Sequence, residues 1–187
     1  MSLPLKSFYF VRHGETEWNQ KGIVMGQTDI ELNATGLKHA KEIAESLKDE
    51  DFKSIATSPL KRAFQTAQII SQASNNPITI IDDFKEISLG EAQGQPRQPQ
   101  RIKEWREGGK IEGAEPFSAF VHRVKRGLEQ ALKLPEPVLI VAHGGVYWAI
   151  QSLLGAPFSN LLNCAAIYHR PPVHPTHPWF IGPLDSE

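Results

Sequence analysis

The sequence predicts an α/β fold in which helices are layered on a largely parallel sheet. Short runs rich in Val, Ile and aromatic residues alternate with longer segments whose apolar residues recur every three or four positions. The 187 residues are enough for one full core and too few to expect two, and a content of 40% apolar and 22% charged residues is ordinary for a globular chain. We therefore expect residues 1–187 to form a single domain.

The predicted strands are short apolar runs in which β-branched and aromatic residues are frequent. Five of them follow one another along the chain, at residues 7–11, 53–57, 78–81, 138–142 and 165–169. A further edge strand is expected near residues 179–181, within a proline-rich tail that should follow the surface of the domain.

The first two helical segments each carry one apolar stripe. Residues 35–49 have apolar side chains at spacings of three and four, beginning with Leu37. In the next segment Ser58 predicts an N-cap and Pro59 a first-turn proline, and apolar residues then recur up to Ile70. Both segments should pack one face against the sheet.

The later part of the chain contains two more helical segments and one long connection. Pro116 opens the third helix, and residues 144–154 form the fourth, which a glycine ends. Residues 90–113 are mostly polar, with one short helix expected at residues 101–107. A long connection inside a compact domain is often a lid or a binding loop.

Charge and cysteine content exclude several classes of function. The 20 Lys and Arg against 21 Asp and Glu give a formal charge of −1, so neither nucleic acid nor a membrane surface is expected as a partner. The single cysteine, Cys164, excludes an intrachain disulfide and fits a cytoplasmic location. No secretion signal and no apolar stretch of about 18 residues is present, so neither export nor a membrane span is expected.

Polar residues follow three predicted strands at the ends where α/β sheets bind ligands. Arg12 and His13 follow the first strand, Arg62 lies just beyond the second, and His143 follows the fourth. Arg62 lies in the first turn of a helix, where the macrodipole disfavours a cation by ~0.3–1 kcal/mol. An anion shared with the helix N-terminus would offset that cost, although a surface ion pair is an equally simple explanation of Arg62 alone.

The two histidines favour phosphate chemistry over a structural role. A lone histidine at a strand end is usually structural, but His13 and His143 each follow an apolar run and precede a glycine, which lets a ligand approach closely. A zinc site is disfavoured because it needs a third protein ligand and Arg12 would repel the ion. Two cations and two imidazoles suit a phosphate dianion, on which a histidine can act as nucleophile.

Other titratable residues are less clearly placed by the sequence. Near the third strand, Asp82, Asp83 and Glu86 are equal candidates for a general acid, and their spacing does not choose among them. Three histidines of the C-terminal part are separated by prolines and are expected in a surface segment: His169, His174 and His177.

Four motifs occur in a fixed order between residue 8 and about residue 150. They are VRHGET at 11–16, SPLKRAFQTA at 58–67, EISLG at 86–90 and VAHGG at 141–145. Each motif alone is weak, but the ordered set resembles the histidine phosphatase superfamily, in the branch that contains cofactor-dependent phosphoglycerate mutase. The resemblance implies a three-layer α/β/α sandwich and a mechanism through a phosphohistidine that needs neither metal nor cofactor.

The resemblance also implies roles by matching position. His13 matches the nucleophile and Glu86 the proton donor. The residues that match positions holding the phosphoryl group are Arg12, Arg62 and His143. The matches for substrate contacts are Asn19, which corresponds to a phosphate contact, and Gly26 and Gln27, which lie in a loop beside the substrate.

The leading hypothesis is a phosphatase acting on a small phosphorylated metabolite. The chain lacks the longer insertion that mutases of this family carry after the acid, and shorter members are mostly phosphatases. The alternatives are phosphoglycerate mutase-type phosphoryl transfer and a phospho-ligand binding protein without turnover. The binding protein is considered because the rim of the expected substrate site differs from that of the family. Glu115-Pro116 stands where a Glu-Ser or Glu-Thr pair is usual, which removes a hydroxyl from the rim. The sequence makes no prediction of oligomeric state.

Overall fold

Six strands form one sheet in the computed structural model, which describes residues 3–174 and 176–184. In chain order they are β1 Phe8–Arg12, β2 Ser54–Thr57, β3 Ile78–Ile80, β4 Val138–Ala142, β5 Ala166–Arg170 and β6 Phe180–Gly182. The spatial order is β3-β2-β4-β1-β5-β6. The first four strands of that order are parallel, whereas β5 and β6 are added antiparallel at one side. The predicted largely parallel sheet is confirmed.

The helices cover both faces of this sheet. They are α1 Glu17–Gln20, α2 Ala34–Leu47, α3 Lys61–Ser74, α4 Pro99–Arg106, α5 Phe117–Ala131 and α6 Gly144–Leu154. Phe8 and Phe10 of β1 share a core with residues of α5 and α6, while Tyr9 and Val11 share the opposite core with α2 and α3. Alternate side chains of one strand therefore reach two helical layers, and the three-layer α/β/α sandwich is confirmed.

Burial of the central strands fixes the positions of their ends. Every residue of β4 is buried, and β1 is buried from Phe8 to Val11. Strands covered on both faces have continuous apolar sequences, and each large side chain removed from water contributes about 1.5–3 kcal/mol.

Among the described residues, no helix is both long and apolar enough to cross a membrane.

The start of α2 differs from the prediction. The helix covers Ala34–Leu47 instead of residues 35–49, and Leu37 is 40% exposed. Gly36 is buried instead, because the first turn packs directly on the backbone of Glu15, where a β-carbon on Gly36 would lie 2.1 Å from the Glu15 carbonyl oxygen. This close approach turns Leu37 away from the core.

The start of α3 was also predicted incorrectly. The helix begins at Lys61 with Leu60 as a cap that has no side-chain bond, so Ser58 is not the N-cap and Pro59 is not in the first turn. The Ser58 hydroxyl is instead 2.8 Å from Nε2 of His143, and it also accepts a bond from the Leu60 amide.

The prediction of a surface position is wrong for His169 and correct for His174 and His177. His169 is completely buried in β5, and its ring stacks on Phe8 with centroids 4.3 Å apart. Its position opposite Phe8 on the neighbouring strand explains the burial, because the prolines that suggested a surface segment follow β5 and do not interrupt it.

Candidate active site

The ends of β1 and β4 bring the two candidate histidines together. The two strands are paired in parallel with Arg12 beside Ala142, and the His13 amide donates to the Ala142 carbonyl at 2.9 Å. His13 directly follows β1 and His143 directly follows β4, and their ring centroids lie 5.1 Å apart. Strand register therefore produces the convergence that the sequence predicted.

The His13 ring is held in one tautomer. It is buried, and Nδ1 lies 2.7 Å from the Gly14 carbonyl oxygen. Because a carbonyl can only accept, Nδ1 carries the proton, and the neutral ring keeps a lone pair on Nε2. Burial lowers the pKa of His13 well below its ordinary value, and the charges of Arg62 and Arg12 add to the effect. The ring is thus a neutral base and a potential nucleophile.

Arg62 is a completely buried cation without a carboxylate partner among the described residues. Its Nη1 and Nη2 donate to the carbonyls of Thr28 and Gly26 at 2.9 and 2.8 Å, while its buried Nε has no partner there. Burial lowers the pKa of Arg62 to about 10, an effect opposed by the charges of Glu86 and Asp29. The guanidinium therefore stays charged at neutral pH, and its position is fixed by carbonyls.

Arg12 and His143 complete a cluster of donors. Arg12 Nη1 donates to the Leu161 carbonyl at 2.7 Å, and its buried Nε has no partner in the described chain. Nδ1 of the fully buried His143 also has none there. Burial lowers the pKa of His143 well below its ordinary value, with Arg62 contributing next. Buried polar groups without partners are rare and call for an explanation.

Glu86 is the candidate acid that the fold brings to this cluster. Its Oε1 accepts from the Ile87 amide at 2.9 Å, and its Oε2 accepts from the Gly145 amide at 3.1 Å, in the first turn of α6. The other two candidates face elsewhere, since Asp82 pairs with Lys85 and Asp83 with Arg126 of α5. The geometry separates three carboxylates that the spacing left equivalent.

A cavity of about 230 Å³ opens where these groups meet. Its charged walls are Arg12, Arg62, Arg97 and Glu86, with His13 at the same site. Most of the remaining wall is apolar and includes Met25, Ile87, Leu89, Ile102, Trp148 and Leu161. Among the described residues, no three His, Cys, Asp or Glu side chains are grouped so as to hold a metal ion.

The three predicted substrate contacts divide into one that lines the cavity and two that lie behind it. Gly26 is part of the wall. Thr16 is the N-cap of α1, and Asn19 completes its capping box by accepting from the Thr16 amide. Gln27 Nε2 donates to the Glu86 carbonyl at 3.0 Å. Asn19 and Gln27 therefore bond to residues next to the site, Thr16 and Glu86, and do not line the cavity.

Two arginines near the site were not identified from the sequence. Arg97 lies in the polar segment 90–113 and lines the cavity. Arg123 of α5 donates to the carbonyls of Asp83 and Lys85, at 2.9 and 2.8 Å. No local pattern distinguishes Arg123 from its exposed neighbours on α5, because its partners lie far away in the sequence.

Comparisons with known proteins agree with this geometry. The family model for the histidine phosphatase superfamily (branch 1) matches residues 8–169. The chain is 42% identical over 146 residues to the uncharacterized phosphatase PhoE of Bacillus subtilis, covering 77% of this chain and 73% of PhoE. It is 32% identical over 161 residues to the probable phosphoglycerate mutase GpmB of Proteus mirabilis, covering 80% and 75% of the two chains.

A solved structure shares the fold over almost the whole chain. The mycobacterial glucosyl-3-phosphoglycerate phosphatase in complex with VO3 superimposes with a TM-score of 0.81. The two sequences are 25% identical, and the match covers 97% of this chain and 100% of the other.

Proposed function

The chain belongs to the histidine phosphatase superfamily, and from this premise we propose that it hydrolyses a small phosphorylated metabolite through a phosphohistidine at His13. The observation that carries the proposal is the group of buried donors without a partner in the described chain: Arg12 Nε, Arg62 Nε and His143 Nδ1. Leaving such donors unsatisfied costs about 1–3 kcal/mol each. A bound phosphoryl group would satisfy them and match the two positive charges.

In the first step Nε2 of His13 attacks phosphorus, and the ester P–O bond breaks as the P–N bond forms. Glu86, in its protonated form, gives its proton to the leaving oxygen, so that an alcohol departs. The Gly14 carbonyl keeps the proton on Nδ1 throughout, which leaves Nε2 free to react. Arg12 and Arg62 are placed to neutralise the oxygens as charge shifts between them.

In the second step water attacks the phosphohistidine, and the electron pair of the P–N bond returns to Nε2. The Glu86 carboxylate accepts the water proton and regenerates the acid. We assign His143 the role of a neutral donor: the Ser58 hydroxyl, which already accepts from the Leu60 amide, donates to Nε2, and the proton on Nδ1 is then available for a phosphoryl oxygen. Gly26 contributes to the wall beside the substrate, while Asn19 and Gln27 act by holding neighbouring groups.

The remaining proposals concern the setting of the reaction. The chain functions as one domain, supported by two cores that share β1 and β4. A reducing location such as the cytoplasm fits a chain whose single cysteine, Cys164, is a free thiol. No metal, nucleic acid or membrane takes part in this scheme.

A panel of phosphometabolites tests the proposal, with His13→Ala as the blank and each assay repeated with a chelator. Phosphate release by the wild type that the variant lacks would support it and exclude a binding protein without turnover. Phosphate release by His13→Ala at the wild-type rate would contradict the proposal. Strong inhibition by the chelator would contradict the metal-free scheme.

Phosphoryl transfer between hydroxyls is the second candidate, because relatives such as the Proteus mirabilis protein are named as probable phosphoglycerate mutases. A single-turnover assay with labelled substrate separates the two reactions. The phosphatase proposal expects the label in inorganic phosphate. It fails if the label passes to a second substrate hydroxyl faster than to water.

A further inference from the structure

Arg97 is held at the cavity because residues 94–97 form backbone hydrogen bonds with residues 22–24. Its amide donates to the Gly22 carbonyl at 2.8 Å, and the preceding Pro96 is bridged to Ile23. Two more bonds join Val24 to Gln95 and Gly94, at 2.9 and 2.8 Å. The residue is exposed, yet its side chain lines the same cavity as His13.

The guanidinium of Arg97 has no hydrogen-bond or ion-pair partner among residues 3–174 and 176–184. Its charge instead acts on Arg12: burial is the main cause that lowers the pKa of Arg12, and Arg97 lowers it further. The nearby Arg101 differs, since it pairs with Glu91. An unpaired cation that lines a binding cavity is available to bind an anionic group of the ligand.

The charge balance of the cavity supports the same conclusion. Three guanidinium groups and one carboxylate line it, so two positive charges remain even when Glu86 is ionised. The two negative charges of a phosphate monoester would balance Arg12 and Arg62. When Glu86 carries a proton as the acid, the positive charge of Arg97 then has no counter-charge in the cavity. The rest of the lining is largely apolar, with Leu89, Ile102 and Trp148 among it. It offers few bonds to a polyhydroxylated sugar.

We propose that Arg97 is a specificity-determining residue that binds a second anionic group on the substrate. The substrate class is a small phosphomonoester with a short carbon skeleton, few hydroxyl groups, and a carboxylate or second phosphate at the end remote from the scissile bond. This inference rests on the proposed phosphatase function. The cavity volume of about 230 Å³ is below the usual range of roughly 300–1,000 Å³ for ligand sites, which favours small substrates.

Matched substrates test the proposal without altering the reacting bond. The set is the phosphate monoester of 4-hydroxybutyrate, the same monoester of 4-hydroxybutyramide, and 1,4-butanediol bisphosphate. We expect wild-type kcat/KM for the carboxylate over the isosteric amide to be higher by on the order of tenfold, mainly through KM. Arg97→Gln should remove most of this preference and Arg97→Lys should restore part of it. Arg101→Gln is the matched control and should retain the preference.

The outcomes separate this inference from the function on which it rests. Equal kcat/KM for the carboxylate and the amide in the wild type, or a preference that survives Arg97→Gln, would overturn the role of Arg97 while leaving a phosphatase. Absence of hydrolysis with every phosphomonoester would overturn the proposed function itself. A preference for the bisphosphate over the carboxylate that Arg97→Gln abolishes would identify phosphate as the second group and support the inference.

Discussion

At the scale of single residues, the site consists of a neutral histidine beside guanidinium groups that outnumber the carboxylates lining the same cavity. The pKa values of His13 and His143 are lowered by burial first and by arginines second, so both rings are uncharged at neutral pH. A neutral His13 keeps its lone pair for phosphorus. The same arginines that lower the histidine pKa values are the ones we propose to bind the phosphoryl oxygens.

Glu86→Gln tests the acid at this scale. The amide keeps the size of the side chain but cannot protonate a leaving group, so hydrolysis of alkyl phosphates should fall by roughly 10²–10⁴-fold. Aryl phosphates should lose much less, because phenolates need less protonation. Steady-state kcat on a series of esters with different leaving groups measures this difference. Equal losses on alkyl and aryl esters would count against Glu86 as the acid.

At the scale of elements, the loop that carries Glu86 is held between α5 and α6. Arg123 of α5 bonds to two loop carbonyls and to Glu115, whose Oε1 lies 2.6 Å from its Nη2. At the other end, the first turn of α6 donates from Gly145 to the carboxylate of Glu86. Two helices therefore determine where Glu86, the proposed proton donor, lies.

Gly145→Ala should displace the acid. A β-carbon at this position would lie 2.3 Å from Glu86 Oε1, a distance at which the carboxylate must move. We expect alkyl phosphate hydrolysis to fall by on the order of tenfold or more, since small misplacements of catalytic groups are costly. The control is the same variant on an aryl phosphate, where the loss should be much smaller because phenolates need little protonation. A loss on the aryl ester as large as that on the alkyl ester would contradict the explanation.

Arg123→Met should loosen the same loop from the α5 side. Methionine keeps the apolar length of the side chain but loses the bonds to the Asp83 and Lys85 carbonyls. Hydrolysis of alkyl phosphates should therefore fall more than hydrolysis of aryl phosphates, as expected for Glu86→Gln. Arg126→Met is the matched control on the same helix, because Arg126 is exposed and, within the described part of the chain, its side chain bonds only to that of Asp83. A loss of stability in Arg123→Met without any change in leaving-group dependence would show a merely structural role.

The sequence predicted the strands well and the polar details poorly, for a physical reason. Strands such as β4 are continuous apolar runs whose limits are visible locally, and the observed Val138–Ala142 matches the predicted range. Ser58 was misassigned as a cap because its partner, His143, lies 85 positions away. The convergence of His13, Arg12 and Arg62 was predictable because each lies at a strand end or in the first turn of a helix. Arg97 and Arg123 were missed because only tertiary contacts distinguish them from surface arginines.

At the scale of the whole molecule, burial of histidines links stability to pH. Burial lowers the pKa of His169 to about 3, against an ordinary value of about 6.5, and it lowers those of His13 and His143 as well. The unfolded chain therefore binds more protons than the folded one below pH ~6.5. Stability is fully present above that pH and should fall as the pH drops toward the folded values.

His169→Phe should reduce this acid sensitivity. His169 alone should cost the fold about 2 kcal/mol on going from pH 7 to pH 5, because one pKa unit corresponds to about 1.4 kcal/mol. Phenylalanine can keep the stack on Phe8 without titrating. Urea unfolding at both pH values measures the change for wild type, for His169→Phe and for the exposed control His174→Gln. An identical pH dependence in all three proteins would contradict the account.

Direct observation of a phosphorylated His13 tests the central claim. Wild type and His13→Ala are mixed with excess substrate, quenched in alkali within one turnover, digested and analysed by mass spectrometry, since phosphohistidine survives base. The account predicts one phosphoryl group on the peptide that contains His13, formed at least as fast as turnover and absent from the variant. Full turnover without a phosphorylated intermediate, or a phosphoryl group on another residue, would contradict it.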